Sequence, residues 1–465
     1  MTQSANSAES QTPTPPVVSL IPAVLGFFVV TLDSFVVNVA LPSIGQDLGG
    51  GMTGLQWVID GYTLMFAAFL LSAGALCDRV GARRAFGIGV VIFVASSAAC
   101  ALSPSLGALI LGRFAQGTGA AVMLPATLAL IREVYHDEKK RGHAIALWAV
   151  GGAVASAAGP VVGGFLTLVS WRLIFVINVP TGILVLVLLT RGPRSPRRQA
   201  PFDWIGQAAA ILGMGGLTYG LIEGGSQGFG TSQVILALAM ALGALIVLVI
   251  SQIRGTHPVV PPSLFRSREV LVSLSVGFAF VVGFYGLVFL FSLYFQQVRG
   301  LSASATGIAF VPMTVLSIFV NPVAARIAVR FGARVPMAIG QFLMAAGLLS
   351  LCILVATPDA PVLLLSLLTI SVGLGSALSI PTMTALLVGS VPAELAGTAS
   401  GVLNTFRQFG GAVAVAIFGA LVANRDRFVA GMEISLVISV IVLVAAGCGV
   451  LTLRPQQIVN HREAP

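Results

Sequence analysis

Ionisable side chains inside apolar segments are where this sequence offers chemistry. Of its 16 acidic residues, two lie well within long apolar runs: Asp33 in LIPAVLGFFVVTLDSFVVNVALP and Asp60 in LQWVIDGYTLMFAAFLL. Arg113 is embedded in LGALILGRFAQGTGAAVMLP, and Arg407 in GVLNTFRQFGGAVAVAIFG. A charge in hydrocarbon costs about 3 kcal/mol or more unless paired or hydrated, so each of these is a functional candidate. Burial disfavours the anion of a carboxyl, whereas a nearby guanidinium favours it. A carboxyl held between those pulls can exchange a proton for a cationic ligand. Asp33 is therefore the expected proton carrier, Arg113 the group that tunes it, and Asp60 a second acid. The structural alternatives are a static Asp33–Arg113 pair that docks two helices, and an Asp60 that faces an aqueous vestibule.

The elements that position these residues follow from composition. The chain has 465 residues, 57% apolar and 9% charged, with a mean hydropathy of +0.99. Soluble domains average about 45–50% apolar and about 25% charged. A soluble enzyme, a disordered chain and a fibrous protein are excluded, and an all-α polytopic membrane protein is expected. Residues 1–16 read as a polar, disordered tail. Apolar segments then recur at 17–41, 54–76, 85–103, 105–131, 143–169, 172–190, 204–222, 232–253, 270–297, 304–325, 335–356, 360–388, 398–423 and 431–453. Fourteen spans result. On helical rise, Asp33 lies about 12 Å below the outer end of the first span, Asp60 about 9 Å into the second and Arg113 about 12 Å into the fourth.

Of the 25 basic residues, 19 fall in loops on one side and four on the other (Arg172, Arg299, Arg425, Arg427), with Arg113 and Arg407 inside spans. The asymmetry places both termini in the cytoplasm. The net charge of +9 thus belongs to loops and implies no nucleic-acid partner. Cys77, Cys100, Cys352 and Cys448 have no metal or redox spacing. No phosphate-binding loop, paired His or nucleophile elbow is present, so neither an enzyme, a metal site nor a cofactor is expected.

The chain also repeats internally. Gly74-Ala-Leu-Cys-Asp78-Arg79-Val-Gly81-Ala-Arg83 aligns with Ala325-Arg-Ile-Ala-Val329-Arg330-Phe-Gly332-Ala-Arg334, and Gly117, Gly119 and Pro125 align with Gly373, Gly375 and Pro381. Two six-helix halves are expected, at 17–191 and 270–453, with a linker and two extra spans at 192–269 and a tail at 454–465. Paired six-helix halves are the plan of secondary transporters, which bind substrate between the halves.

At these residues the sequence resembles the major facilitator superfamily, in its fourteen-spanner drug:proton antiporter subfamily (the EmrB/QacA type). The resemblance covers nearly the whole chain. It rests on Leu32-Asp33-Ser-Phe-Val-Val-Asn38-Val-Ala40-Leu41-Pro42, on Gly74 to Arg84, on Arg113-Phe-Ala-Gln116-Gly117, on Gly159-Pro160-Val-Val-Gly163-Gly164 and on Trp171-Arg172-Leu-Ile-Phe175-Val-Ile-Asn178-Val-Pro180. It implies the major facilitator fold: two six-helix bundles plus two inserted helices, fourteen transmembrane helices in all. It implies that Gly74, Asp78, Arg79, Gly81 and Arg83 form a loop that latches the halves in the outward-facing state. Asp78 is expected to cap a helix end and pair with a nearby arginine, and Val329 makes the latch one-sided. Gly159, Pro160, Gly163 and Gly164 match the antiporter motif, read as a hinge that bars proton leak or, more simply, as small-residue packing.

Arg407 has no acid within a span of its own half. It is satisfied either by carbonyls near Gly410 and Gly411 or by Gln408, or else it faces the substrate cavity and favours an anionic or zwitterionic substrate. Glu223, at the outer end of the seventh span, reads as interfacial. Phe35, Trp148 and Tyr285 are the aromatic candidates for stacking on substrate. The expectation is a monomeric inner-membrane exporter of hydrophobic monovalent cations or neutral amphiphiles, driven by the proton gradient through alternating access. A dication needs two carboxylates and would leave no proton site. The rival readings are a carrier of one specific metabolite or antibiotic, and a membrane sensor or scaffold that transports nothing.

Overall fold

The computed structural model describes residues 17–191, 195–197, 203–254, 260–357, 359–392 and 395–453. The expected tails at 1–16 and 454–465, and parts of the expected linker at 192–194, 198–202 and 255–259, lie outside the described residues. Within them there are sixteen α-helices. The first nine are α1 (Val17–Leu48), α2 (Gly51–Val80), α3 (Ala82–Ala101), α4 (Leu106–Val134), α5 (Glu138–Val169), α6 (Leu173–Val176), α7 (Asn178–Thr190), α8 (Trp204–Gln227) and α9 (Ser232–Arg254). The rest are α10 (Arg268–Leu293), α11 (Ala303–Ala309), α12 (Val311–Phe331), α13 (Arg334–Val355), α14 (Val362–Gly389), α15 (Ala396–Leu421) and α16 (Phe428–Leu451).

Each expected span coincides with one helix, except that the sixth is split into α6 and α7 and the tenth into α11 and α12. By length and composition alone, eleven helices among the described residues could cross a membrane, or twelve if α2 counts as one span. The expected number of fourteen is therefore not reached on that criterion. Of the expected spans, the two outside that number are the tenth, at α11–α12, and the thirteenth, at α15, whose Ser400, Asn404, Thr405, Arg407 and Gln408 dilute its apolar face. Helix starts are fixed by side-chain caps: Ser105 accepts from Ala108 N, Asp137 from Lys140 N, Ser267 from Val270 N and Ser302 from Ala305 N.

The sequence repeat reappears as repeated backbone geometry. Gly81 ends α2 with φ 87° and Gly332 ends α12 with φ 80°, a left-handed conformation that a side chain makes costly. A Cβ on Gly117 would lie 2.2 Å from the Tyr62 carbonyl oxygen, and one on Gly373 would lie 1.9 Å from that of Met313. Likewise Gly119 of α4 abuts Gly89 of α3, and Gly375 of α14 abuts Gly340 of α13. The aligned glycines thus set the same helix pairs at the same close approach in both halves.

The halves meet at the end of the molecule away from the arginine-rich loops. Gln56 Nε2 (α2) donates to Val415 O at 3.0 Å and Ala416 O at 2.7 Å (α15). Gln296 Nε2 donates to Val39 O of α1 at 2.9 Å. Helix α8 leans on both sides of the α2–α15 seam. Its Gln207 Nε2 donates to Ala68 O at 3.0 Å. Its Gly225 has room for no Cβ beside Ala420. At that end Asp47 of α1 accepts from Arg172 Nη1 at 2.6 Å and from Trp171 Nε1 at 2.9 Å.

Candidate functional site

Helices α1, α3, α4 and α7 bring together one buried polar cluster inside the N-terminal half. Asp33 and Arg113 are 0% and 1% exposed and form an ion pair through Asp33 Oδ2 and Arg113 Nη1. The other carboxylate oxygen, Oδ1, accepts from Asn178 Nδ2 at 2.8 Å and from Gln116 Nε2 at 2.9 Å. Ser97 Oγ accepts from both amides, at 3.0 and 3.1 Å, and donates to Phe175 O. Arg113 spends its remaining donors on the chain around it. Its Nη1 also reaches Gln116 Oε1 at 2.8 Å, and its Nε donates to Val58 O of α2 at 3.0 Å. Its guanidinium lies 4.3 Å from the Tyr62 ring centroid. Every partner of Asp33 is a donor, which is the pattern that satisfies a carboxylate.

Gln116, Asn178 and Ser97 were not among the expected site residues. The two amides stand in quoted motifs beside Arg113 and Pro180, and a polar side chain within an apolar run was the available signal.

Asp60 does not join this cluster. It lies four residues from Gln56 and three from Thr63, and these two flank it on α2 with contacts to α15. Asp60 is 0% exposed, and among the described residues neither carboxylate oxygen has a hydrogen-bond partner. The expected aqueous vestibule around Asp60 is thus corrected: the seam between the halves has closed over it. Position along a helix sets how deep a residue lies, but the helix face decides its neighbours.

A second cluster crosses the seam. Phe35 of α1 meets Tyr285 of α10 edge-on, with centroids 4.7 Å apart, and Phe284 at 6.0 Å. Arg407 lies 5.3 Å from the ring of Phe280, and its Nη1 reaches Asn404 Oδ1 at 3.4 Å while its Nε has no partner among the described residues. The expected satisfaction of Arg407 by Gln408 or the Gly410–Gly411 carbonyls is not seen. Those glycines face Phe278, Val281 and Tyr285 instead. Trp148 is elsewhere, stacked on Phe27 at 3.9 Å with its indole N–H on Thr127 Oγ1. Glu223 accepts from Gln227 Nε2 at 2.6 Å and Trp57 Nε1 at 3.4 Å, at the end of α8.

The α5 glycines make both intra-half and inter-half contacts. Gly159 and Gly163 seat Phe35 and Val36 of α1. Gly164 lies against Ala303 O of α11, and Gly307 of α11 lies against Pro160 O. A Cβ at either position would sit 2.6 or 2.4 Å from backbone oxygen of the opposite half. Gly164→Ala is therefore expected to hold these ends apart. The check is alkylation of a cysteine placed at Ser304 by a membrane-impermeant maleimide, which should rise several-fold in the variant.

In the first turn of α3, Arg83 N donates to Ser195 Oγ at 2.9 Å and Arg83 Nη2 to Thr190 O at 2.9 Å. Asp78 and Arg79 are exposed in the last turn of α2. The expected cap by Asp78 is not formed, because Gly81 occupies the cap position of α3 and no side chain bonds it. Gly74 has open space around it. Gly81→Ala is expected to cost about 1 kcal/mol or more through its φ alone, and Gly74→Ala nothing or a slight gain; melting temperatures of the two variants check this.

A profile of the Major Facilitator Superfamily matches residues 23–415. The chain belongs to the Major Facilitator Superfamily. It is a membrane protein of a transporter family rather than a member of an enzyme family. Among superfamily relatives, it is 33% identical over 431 residues to the methylenomycin A resistance protein of Bacillus subtilis (strain 168), covering 92% of each chain. It is 35% identical over 411 residues to the multidrug resistance protein Stp of Mycobacterium tuberculosis (strain CDC 1551 / Oshkosh), covering 87% of this chain and 75% of that one. The superfamily fold is shared with a crystal structure of a D-xylose–proton symporter, at a TM-score of 0.67 and 16% identity, covering 94% of this chain and 98% of that one.

Proposed function

We propose that this superfamily member is a drug exporter of the fourteen-span type, which exchanges hydrophobic compounds for protons by alternating access. It acts as a monomer in the inner membrane with both termini in the cytoplasm. The observation that carries the reading is the fully buried Asp33 carboxylate on Arg113, Gln116 and Asn178. Protonating Asp33 removes the charge that holds Arg113, and a buried pair broken on one side is strongly destabilised. Arg113 also grips α2 through Val58 O and the Tyr62 ring. Release at Asp33 is thereby felt by the helix that forms the seam with α15. Asp60, closed into that seam with no donor beside it among the described residues, is the second acid of the exchange, because a buried carboxyl without partners is sensitive to whether the seam is open to water. Opening the seam exposes Asp60 to water, and Gly164 and Gly307 let it close again.

Substrate binds where Phe35, Phe280, Phe284 and Tyr285 meet between the halves, aromatic faces that hold hydrophobic and cationic groups. Arg407 beside Phe280 disfavours a second positive charge. The names of the relatives, for multidrug and for single-antibiotic resistance, support export of foreign compounds. The test is a pH gradient across proteoliposomes. A monocationic dye should dissipate it, and a dication of similar size should do so about tenfold or more slowly; equal rates would sink the charge argument. A second reading, a carrier dedicated to one antibiotic, draws on the relative named for methylenomycin A alone. A substrate profile confined to one compound would favour it.

A further inference from the structure

A cavity of about 750 Å³ opens on the arginine-rich end of the N-terminal half, remote from the Asp33 cluster and from the seam. Its lining is in part apolar, from Val80 in the last turn of α2 and Leu186 and Leu189 in the last turns of α7. The rest is Arg83, Arg84 and Arg197 with Thr190 and Ser195. No acidic side chain lines it among the described residues. Glu133 accepts a hydrogen bond from Ser195 and is not part of the lining.

The arrangement is built by tertiary contacts. Residues 195–197 lie against the α2–α3 loop, with Ser195 O and Pro196 O 3.1 and 3.3 Å from where a Gly81 Cβ would be. Ser195 Oγ takes the backbone N–H of Arg83, and Thr190 O takes its guanidinium. Arg197 is thereby carried to the same opening as Arg84, both of them exposed. Three positive forks beside apolar side chains, at helix ends that mark the membrane boundary, match a phosphate with hydrocarbon attached.

We propose that this cavity binds the headgroup phosphate of an anionic phospholipid, with Val80, Leu186 and Leu189 against the upper part of its acyl chains. An inorganic phosphate shares the charge but gains nothing from the apolar side chains. A bound lipid would tie α2, α7 and the 195–197 segment together at the loop whose Gly81 and Arg83 were singled out from sequence.

The experiment titrates the detergent-purified full chain with phosphatidylglycerol, phosphatidylcholine or inorganic phosphate, and counts bound lipid by native mass spectrometry. Phosphatidylglycerol should bind at least tenfold more tightly than phosphatidylcholine. The Arg84→Ala/Arg197→Ala double variant should weaken phosphatidylglycerol about twenty-five-fold, taking roughly a factor of five per interfacial arginine. The Arg84→Lys/Arg197→Lys variant, which keeps the charge, should weaken it less than fivefold. Melting curves without lipid, unchanged in both variants, confirm that they fold. Undiminished phosphatidylglycerol binding in the alanine variant overturns the proposal, as does equal binding of phosphatidylcholine. Full displacement of the lipid by inorganic phosphate at equal concentration overturns the lipid assignment in favour of a simple anion site.

Discussion

Asp33→Asn is expected to abolish exchange of a monocationic dye for protons, leaving gradient decay at the rate of protein-free vesicles. Asparagine keeps the shape and still accepts from Arg113, but it offers no site for a proton to come and go. The substitution also leaves the Arg113 charge unpaired in a setting where Asp33 is 0% and Arg113 1% exposed. Removing one member of a buried pair costs about 3–5 kcal/mol, so a lower melting temperature should accompany the loss. Stability and coupling are separated by a second variant. Asp33→Asn with Arg113→Gln replaces the ion pair by two amides and should recover most of the lost stability, while exchange stays absent. Exchange that returns with stability would place the proton elsewhere, with Asp60 the next residue to replace. Normal physiological function in Asp33→Asn would instead favour a sensor or scaffold that has no need of the buried acid.

The second large effect is expected from a single methyl group. A Cβ on Gly117 would sit 2.2 Å from Tyr62 O, and one on Gly373 would sit 1.9 Å from Met313 O. Both obstacles are backbone, so no side-chain rotation relieves them and α4 must leave α2, or α14 must leave α12. Overpacking of this kind costs about 1–3 kcal/mol in ordinary cores and more where the backbone must move. Gly117→Ala and Gly373→Ala should each lower the melting temperature of the purified protein by many degrees, and the pair should fail to accumulate. Gly107→Ala on the same α4 helix is the contrast. Nothing lies within 4 Å of its Cβ position, and alanine exceeds glycine in helix propensity by about 1 kcal/mol. That variant should be unchanged or slightly more stable. Equal losses at Gly107 and Gly117 would show that close approach is not what the repeated glycines provide.

The sequence by itself determined the helical class, the positions of the membrane rods and the internal repeat. Each is written in short-range terms that survive without coordinates. An apolar run of about 20 residues can satisfy its backbone in lipid only as a helix, and an aligned glycine keeps its role because it answers to its own φ or to one facing backbone. The pairing of Asp33 with Arg113 was legible for the same reason, since two opposite charges in hydrocarbon at one depth have few other places to go.

The tertiary structure decided which face each residue turned. Asp60 and Val58 are two residues apart on α2, yet the Val58 carbonyl binds Arg113 while Asp60 lies on the side that packs against α15. Depth arithmetic carries no azimuth, so it gave Asp33, Asp60 and Arg113 similar depths where the fold unites only Asp33 and Arg113. Asn178 and Ser97 entered the site only because α3 and α7 pack together behind α1, a contact between segments 81 residues apart. Phe35 and Tyr285 met across the seam while Trp148 went to Phe27, although the three looked alike in sequence. Burial in lipid and burial in protein draw on the same apolar residues, and only packing separates them.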